Sequence, residues 1–174
     1  TPMPVLDNVE VLVFAGNHGV VAQGVSAFPA SVTAQMVSNF ESGGAAINAL
    51  TRAAGLDLHV VPIDLDRPTQ DFSLAPAMSV DECLSALSIG AAQVDADLDM
   101  IVLGEMGIGN TTASSAIASA LTGRPPDETT GRGTGRTPRE VRHKIEAVES
   151  ALSTNMPDPK DALDVLSKVG GFEI

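Results

Sequence analysis

The chain has 174 residues, 44% of them hydrophobic, which supports a folded globule with a sizeable core and excludes a disordered segment. Its 22 acidic against 10 basic residues leave a formal charge of −12, a field that repels nucleic acid and anionic membrane. A single cysteine and three histidines without ligand spacing exclude a disulfide framework and a cysteine zinc site, and no apolar run nears the roughly 18–20 residues of a membrane span. The expected location is the cytoplasm.

The first element in chain order is the apolar run VEVLVFAG at 9–16. It reads as a buried parallel strand, as do LHVVPI at 58–63 and MIVLG at 100–104. Between the first two, Ser31 can cap a helix that carries Val32, Met36 and Phe40 on one face. Gly43 and Gly44 interrupt that pattern before Ile47, Leu50 and Ala54 resume it. SVDECLSAL opens with a capping box from Ser79 to Glu82 and sets Val80, Leu84, Leu87, Ala91 and Val94 along one stripe; Cys83 beside it reads as a small core residue. The third strand leads through a glycine loop into a small-residue helix. TPREVRHKIEAVESAL repeats the capping device, with Thr137 as cap, Pro138 in the first turn and Glu140 at the third position; Val141, Ile145, Val148 and Leu152 form its stripe. Asp158 with Pro159 is expected to start a last helix ending near Gly170.

Alternation of strand and helix predicts an α/β fold, a doubly wound parallel sheet with right-handed crossovers. The connections at 64–78 and 123–136 are too long for idle turns and are expected to border a site. Ligands in such sheets sit beyond the carboxyl ends of the strands, where the loops after 16 and 104 lie. Three strands make a thin, open-edged sheet, and the chain starts at TPMPVLDN and stops at SKVGGFEI, so a piece of a longer protein is expected.

The loop GEMGIGNTT raises a choice between phosphate-binding motifs. From Gly104 to Thr111 it matches the spacing of a Walker A loop, but Asn110 stands where the lysine should be. The dinucleotide pattern also fails, because Thr112 holds its third glycine position. What remains is the physics the two motifs share: Gly107 and Gly109 let backbone approach an anion, and a helix starting near Thr111 offers amides and a positive dipole end. Asn110, Thr111 and Thr112 add neutral donors, which suits one phosphate. The alternative is a tight strand-to-helix turn with ordinary capping.

Half the cations fall within thirteen residues: Arg132, Arg136, Arg139, Arg142 and Lys144. Either this island holds a small anion, or it is a solvated helix face balanced by Glu140, Glu146 and Glu149.

GEMGIGNTT, VFAGNHGVVAQGVSAFPASVTAQMVSNFESGGAAIN, PAMSVDEC and GRGTG together resemble, in the same order, the sequence blocks of the nicotinate-nucleotide–dimethylbenzimidazole phosphoribosyltransferase family of cobalamin lower-ligand assembly. The resemblance covers essentially the whole chain. It implies a Rossmann-like parallel sheet, a homodimer, and transfer of phosphoribose from nicotinate mononucleotide to 5,6-dimethylbenzimidazole, giving α-ribazole 5′-phosphate and nicotinate with inversion at the anomeric carbon. No metal or organic cofactor is implied. Residues 1–174 would be a single α/β domain, the central part of a larger enzyme.

Carried onto this sequence, the resemblance turns the loop of Gly107, Ile108, Gly109, Asn110, Thr111 and Thr112 toward the nucleotide. Gly131, Gly133 and Thr134 would wall the phosphoribosyl site, and Lys144 would neutralise its phosphate. Ser26, Phe28 and Gln35 match the block that lines the aromatic-base pocket, with Glu105 and Met106 at the join between the two substrates. Two departures stand out. Asn17 replaces the aspartate usual in that family's AGDHG block, and the later LGEGTGA-type block with the general-base glutamate is absent from this sequence. Glu105 is the one obvious carboxylate near the site. Lacking that base, the 174-residue chain is expected to bind nicotinate mononucleotide weakly and turn over negligibly. The competing readings are a non-catalytic nucleotide- or base-binding α/β module and an α/β domain whose glycines only make turns.

Overall fold

A computed structural model describes residues 6–133 and 137–174. Thr134 and Arg136 lie outside the described residues. Three parallel strands, β1 (Val9–Ala15), β2 (Asp57–Pro62) and β3 (Met100–Met106), form one sheet in the order β2-β1-β3. Leu12 stands opposite His59 on one side and Leu103 on the other. The expected α/β class with a parallel sheet is therefore observed.

Only the central strand is buried as the sequence suggests. Val11, Leu12, Val13 and Ala15 of β1 are shielded by a strand on either side. The flanking strands are edges, so β2 buries only Val61, β3 buries none of its residues, and Leu103 is 72% exposed. An apolar run without alternation marks a strand made to be covered on both faces; among the described residues, nothing covers the outer side of β3.

Helices α1 (Ser31–Glu41) and α2 (Ala46–Ala54) link β1 to β2, and α3 (Val80–Ala91) links β2 to β3. After β3 come α4 (Asn110–Thr122), the short α5 (Pro126–Thr129), α6 (Pro138–Asn155) and α7 (Ala162–Val169). A 3₁₀ turn over Gly19–Gln23 follows β1. With order 2-1-3, right-handed crossovers send the chain to opposite sides of β1, so the connections after β1 and β3 diverge there. This is the topological switch point of the sheet.

Two caps differ from expectation. Ser31 is the first residue of α1, and Ala30 occupies the cap position without a side-chain bond. Asp158 does not start α7; residues 158–161 form a turn, and Asp161 caps the helix by accepting from the amides of Leu163 and Asp164. An aspartate caps by reaching the second or third amide, and only Asp161 has helical backbone after it to reach. The capping boxes at Ser79 and Thr137 form as expected.

The main core lies where α4, α6 and α7 meet, around Phe72, Ala113, Ala116, Val148, Val165 and Val169. Cys83 joins it, and burial pushes its thiol pKa up. The predicted stripe of α3 does not: Val80, Leu84, Leu87 and Val94 are 45–60% exposed, because the helix packs through Cys83 and the partly buried Ala86.

Candidate functional site

The amide of Gly16 donates to the carbonyl of Met106 at 3.1 Å, so the segments leaving β1 and β3 are tied together just past the strand ends. Here the chain must turn sharply twice. Gly109 takes φ +100, a left-handed conformation costly for any residue with a Cβ, and starts α4 from that position. A Cβ on Gly107 would lie 2.7 Å from the Gly16 carbonyl oxygen and 2.7 Å from Glu173 Oε1, so only glycine fits between these groups. The loop is also pinned from α1: Thr33, fully buried, accepts from the Ile108 amide through Oγ1 at 3.1 Å.

Against this loop lies a cavity of about 270 Å³ lined by Val25, Ser26, Gly107, Ile108, Gly109, Asn110, Thr111, Arg132, Gly133 and Lys144. Most of the residues expected to hold the nucleotide phosphate are thus gathered in one place. Lys144 is only 2% exposed although it belongs to a charged helix, and its Nζ donates to Thr111 Oγ1 at 2.7 Å. Gly133, at φ +57, passes close by. Thr112 is buried beneath the loop and does not line the cavity, and Gly131 is exposed and outside it. Thr134 lies outside the described residues. The basic island divides: Lys144 and Arg132 border the cavity, whereas Arg139 and Arg142 are solvated.

The loop amides are less open than the motif suggests. Asn110 and Thr112 donate to the carbonyls of Gly107 and Gly109, and Thr111 donates to Asn110 Oδ1. What the cavity offers an anion is the dipole end of α4, the Thr111 hydroxyl and the two cations.

A second, larger cavity of about 480 Å³ lies on the open side of β3, lined by apolar groups such as Phe14, Ile63, Leu87, Leu103 and Phe172, with Glu105 and Glu173 at its wall. Glu105 accepts from the Asn110 side-chain amide, so a carboxylate at the apolar cavity is tied to a residue of the polar one. Met106 is half-buried beside it. Of the expected base-pocket residues, Ser26 reaches the polar cavity, and its hydroxyl oxygen accepts the Phe28 amide in a local turn. Phe28 and Gln35 are exposed and line neither cavity.

Asn17 has a use that an aspartate would not serve: its amide nitrogen donates to the Leu65 carbonyl at 2.8 Å. Sequence reasoning missed His18, Thr33 and Glu173. The histidine and glutamate are buried against each other, Nε2 to Oε1 at 2.5 Å, across 155 residues of sequence. Their one signal is nearby glycine, Gly19 directly after His18 in AGNHG and Gly171 two residues before Glu173 in GGFE. Among the described residues no group of three metal-ligating side chains occurs, and no helix is long and apolar enough to cross a membrane.

A family profile described as phosphoribosyltransferase matches residues 1–174. The nicotinate-nucleotide–dimethylbenzimidazole phosphoribosyltransferase of Methylorubrum extorquens is 55% identical over 172 residues, covering 98% of this chain and 50% of that protein. Its counterpart in Novosphingobium aromaticivorans is 51% identical over 174 residues, covering 100% of this chain and 52% of that protein. The crystal structure of CobT from Thermus thermophilus superposes with a TM-score of 0.86 at 37% identity, covering 98% of this chain and 56% of that one. This chain spans about half the length of the curated relatives it matches.

Proposed function

Since the chain belongs to the phosphoribosyltransferase family, we propose that it carries the nucleotide side of an enzyme that moves phosphoribose from nicotinate mononucleotide to 5,6-dimethylbenzimidazole. The products are α-ribazole 5′-phosphate and nicotinate, formed for the lower ligand of cobalamin by a cytoplasmic homodimer. The observation that carries this reading is the polar cavity, where the N-terminus of α4, Thr111 and Lys144 converge beside a loop that only glycine can form.

The 5′-phosphate is the group this cavity suits, because a buried ammonium and a helix dipole both favour an anion and their effect grows as water is excluded. Holding the phosphate fixes the ribose for attack, and positioning of this kind is a large share of the catalysis of a two-substrate transfer. The benzimidazole nitrogen attacks the anomeric carbon from the face opposite nicotinate, which inverts the configuration. Positive charge develops on the ribose as the nicotinate bond breaks. The Glu105 carboxylate, held by Asn110 between the two cavities, is suited to stabilise that charge. As one ring nitrogen attacks through its lone pair, the benzimidazole must also lose the proton carried by its other ring nitrogen, and the resemblance assigns that step to a glutamate in a block this sequence does not contain.

The test is a chromatographic assay for α-ribazole 5′-phosphate on the 174-residue chain and on the longest chain that contains it. Product from the longer chain and negligible product from the shorter is the expected result. Absence of product from both, with binding of nicotinate mononucleotide retained, would instead favour a binding module.

A further inference from the structure

We propose that His18 and Glu173 are a positioning pair that holds the glycine loop at 107–110 in its nucleotide-binding shape; the link to the nucleotide rests on the function proposed above. Both side chains are fully buried, and they meet Nε2 to Oε1 at 2.5 Å. The pair sits where three segments converge: the turn after β1, the loop after β3 and the segment following α7. Each contributes a glycine whose missing side chain makes room for it. A Cβ on Gly16 would lie 2.6 Å from Glu173 Oε2, and one on Gly107 would lie 2.7 Å from Glu173 Oε1 and 3.1 Å from His18 Nε2. A Cβ on Gly171 would lie 2.8 Å from Glu173 Oε2 and 3.1 Å from His18 Nε2. The other face of His18 supports the cap of α4, since a Cβ on Gly109 would lie 3.2 Å from the His18 Cβ. The loop that borders the phosphate cavity therefore packs against this pair at Gly107 and against His18 again at Gly109.

Stability alone does not account for such an arrangement. Glu173 Oε2 and His18 Nδ1 are buried without a hydrogen-bond partner among the described residues. Buried polar groups left half satisfied are costly, and an apolar pair of similar volume would hold a core as well or better. What the pair adds is direction: a single hydrogen bond of fixed geometry sets the distance between the β1 turn and the terminal segment, with Gly107 clasped between them. Departures from local rules of this kind are expected at functional sites.

The experiment compares Glu173→Ala, Glu173→Asp and Glu173→Gln, in the longest chain that contains this sequence and in the 174-residue chain. Asp withdraws the carboxylate with the least disturbance and keeps the test alive if Ala does not fold; Gln keeps a hydrogen-bonding atom at Nε2. The first readout is backbone amide exchange. Ile108 and Asn110 should exchange about tenfold faster in the Ala and Asp variants, recover in Gln, and change while the β1–β2 amides do not. Unchanged exchange at these two amides, or an equal rise throughout the sheet, would overturn the positioning role. The second readout is calorimetric affinity for nicotinate mononucleotide and for the unphosphorylated nucleoside. The Ala and Asp variants should lose about tenfold more for the nucleotide than for the nucleoside, and equal losses would overturn the link to the phosphate loop. If the unaltered protein does not bind the nucleotide while the exchange result holds, the function proposed above fails and the positioning contact stands.

Discussion

The ammonium of Lys144 donates to the hydroxyl oxygen of Thr111 at 2.7 Å, joining α6 to the first turn of α4 at the wall of the polar cavity. Lys144 is 2% exposed on a helix whose Arg139 and Arg142 are solvated, and taking a charge out of water is costly unless the charge is paired. Lys144→Met keeps the aliphatic stem and removes the charge. It is expected to weaken nicotinate mononucleotide binding by about 1.5–3 kcal/mol, the worth of a charge-assisted hydrogen bond, and to leave the unphosphorylated nucleoside almost unaffected. Isothermal titration with the two ligands checks this.

Thr33→Val removes the acceptor of the Ile108 amide at nearly constant shape, leaving a buried N–H without its partner. The expected cost is about 1–3 kcal/mol in urea unfolding. Nucleotide affinity should fall as well, because the same amide sets the loop's height above α1.

At Gly109, alanine would have to adopt φ +100 with its Cβ 3.0 Å from Val21 Cγ2. The left-handed conformation costs about 1–2 kcal/mol for a residue with a Cβ, and the contact adds to it. Gly55, also left-handed at φ +69 but with no atom within 4 Å of where a methyl would sit, provides the control. Gly55→Ala should cost only the conformational part, so the difference between the two denaturation midpoints isolates the crowding.

The start of α3 carries a pH dependence of known sign. Glu82 is held below the usual carboxylate range, chiefly by the Ser79 backbone amide, then by the Ser79 hydroxyl, with Arg67 adding attraction. A depressed folded-state pKa means the unfolded chain binds more protons in the window between the two values. The stabilisation is therefore present above the unfolded carboxylate pKa and lost as pH falls through the lower, folded one. Ser79→Ala should cost about 1 kcal/mol near neutrality as a lost cap. The gap between the unaltered chain and Glu82→Gln should narrow on acidification, as followed by urea unfolding at a series of pH values.

Much of this was legible because local chemistry decided it. The strands, the Gly43 and Gly44 break and the boxes at Ser79 and Thr137 depend on neighbours in sequence. The α3 stripe misled because periodicity reports that a face is apolar and not what covers it; Leu87 lines the apolar cavity beside β3, and Leu84 is exposed. The glycine loop announced itself, yet the reason Gly107 must be glycine was hidden. Its steric partners are Gly16 and Glu173, distant in sequence and brought together only by the sheet order. For the same reason the basic island could not be divided beforehand: Lys144 lies two residues from Arg142 on α6, and the helix turn alone sends one inward and the other to solvent.

Whether the polar cavity holds a phosphate is decided by calorimetry on the chain itself, titrating nicotinate mononucleotide and the corresponding unphosphorylated nucleoside into the same protein with and without Lys144→Met. The nucleotide is expected to bind more tightly than the nucleoside, and the substitution is expected to abolish this difference. Equal affinities for the two ligands in the unaltered chain, or a preference that survives the loss of Lys144, would contradict a phosphate site built on α4 and Lys144.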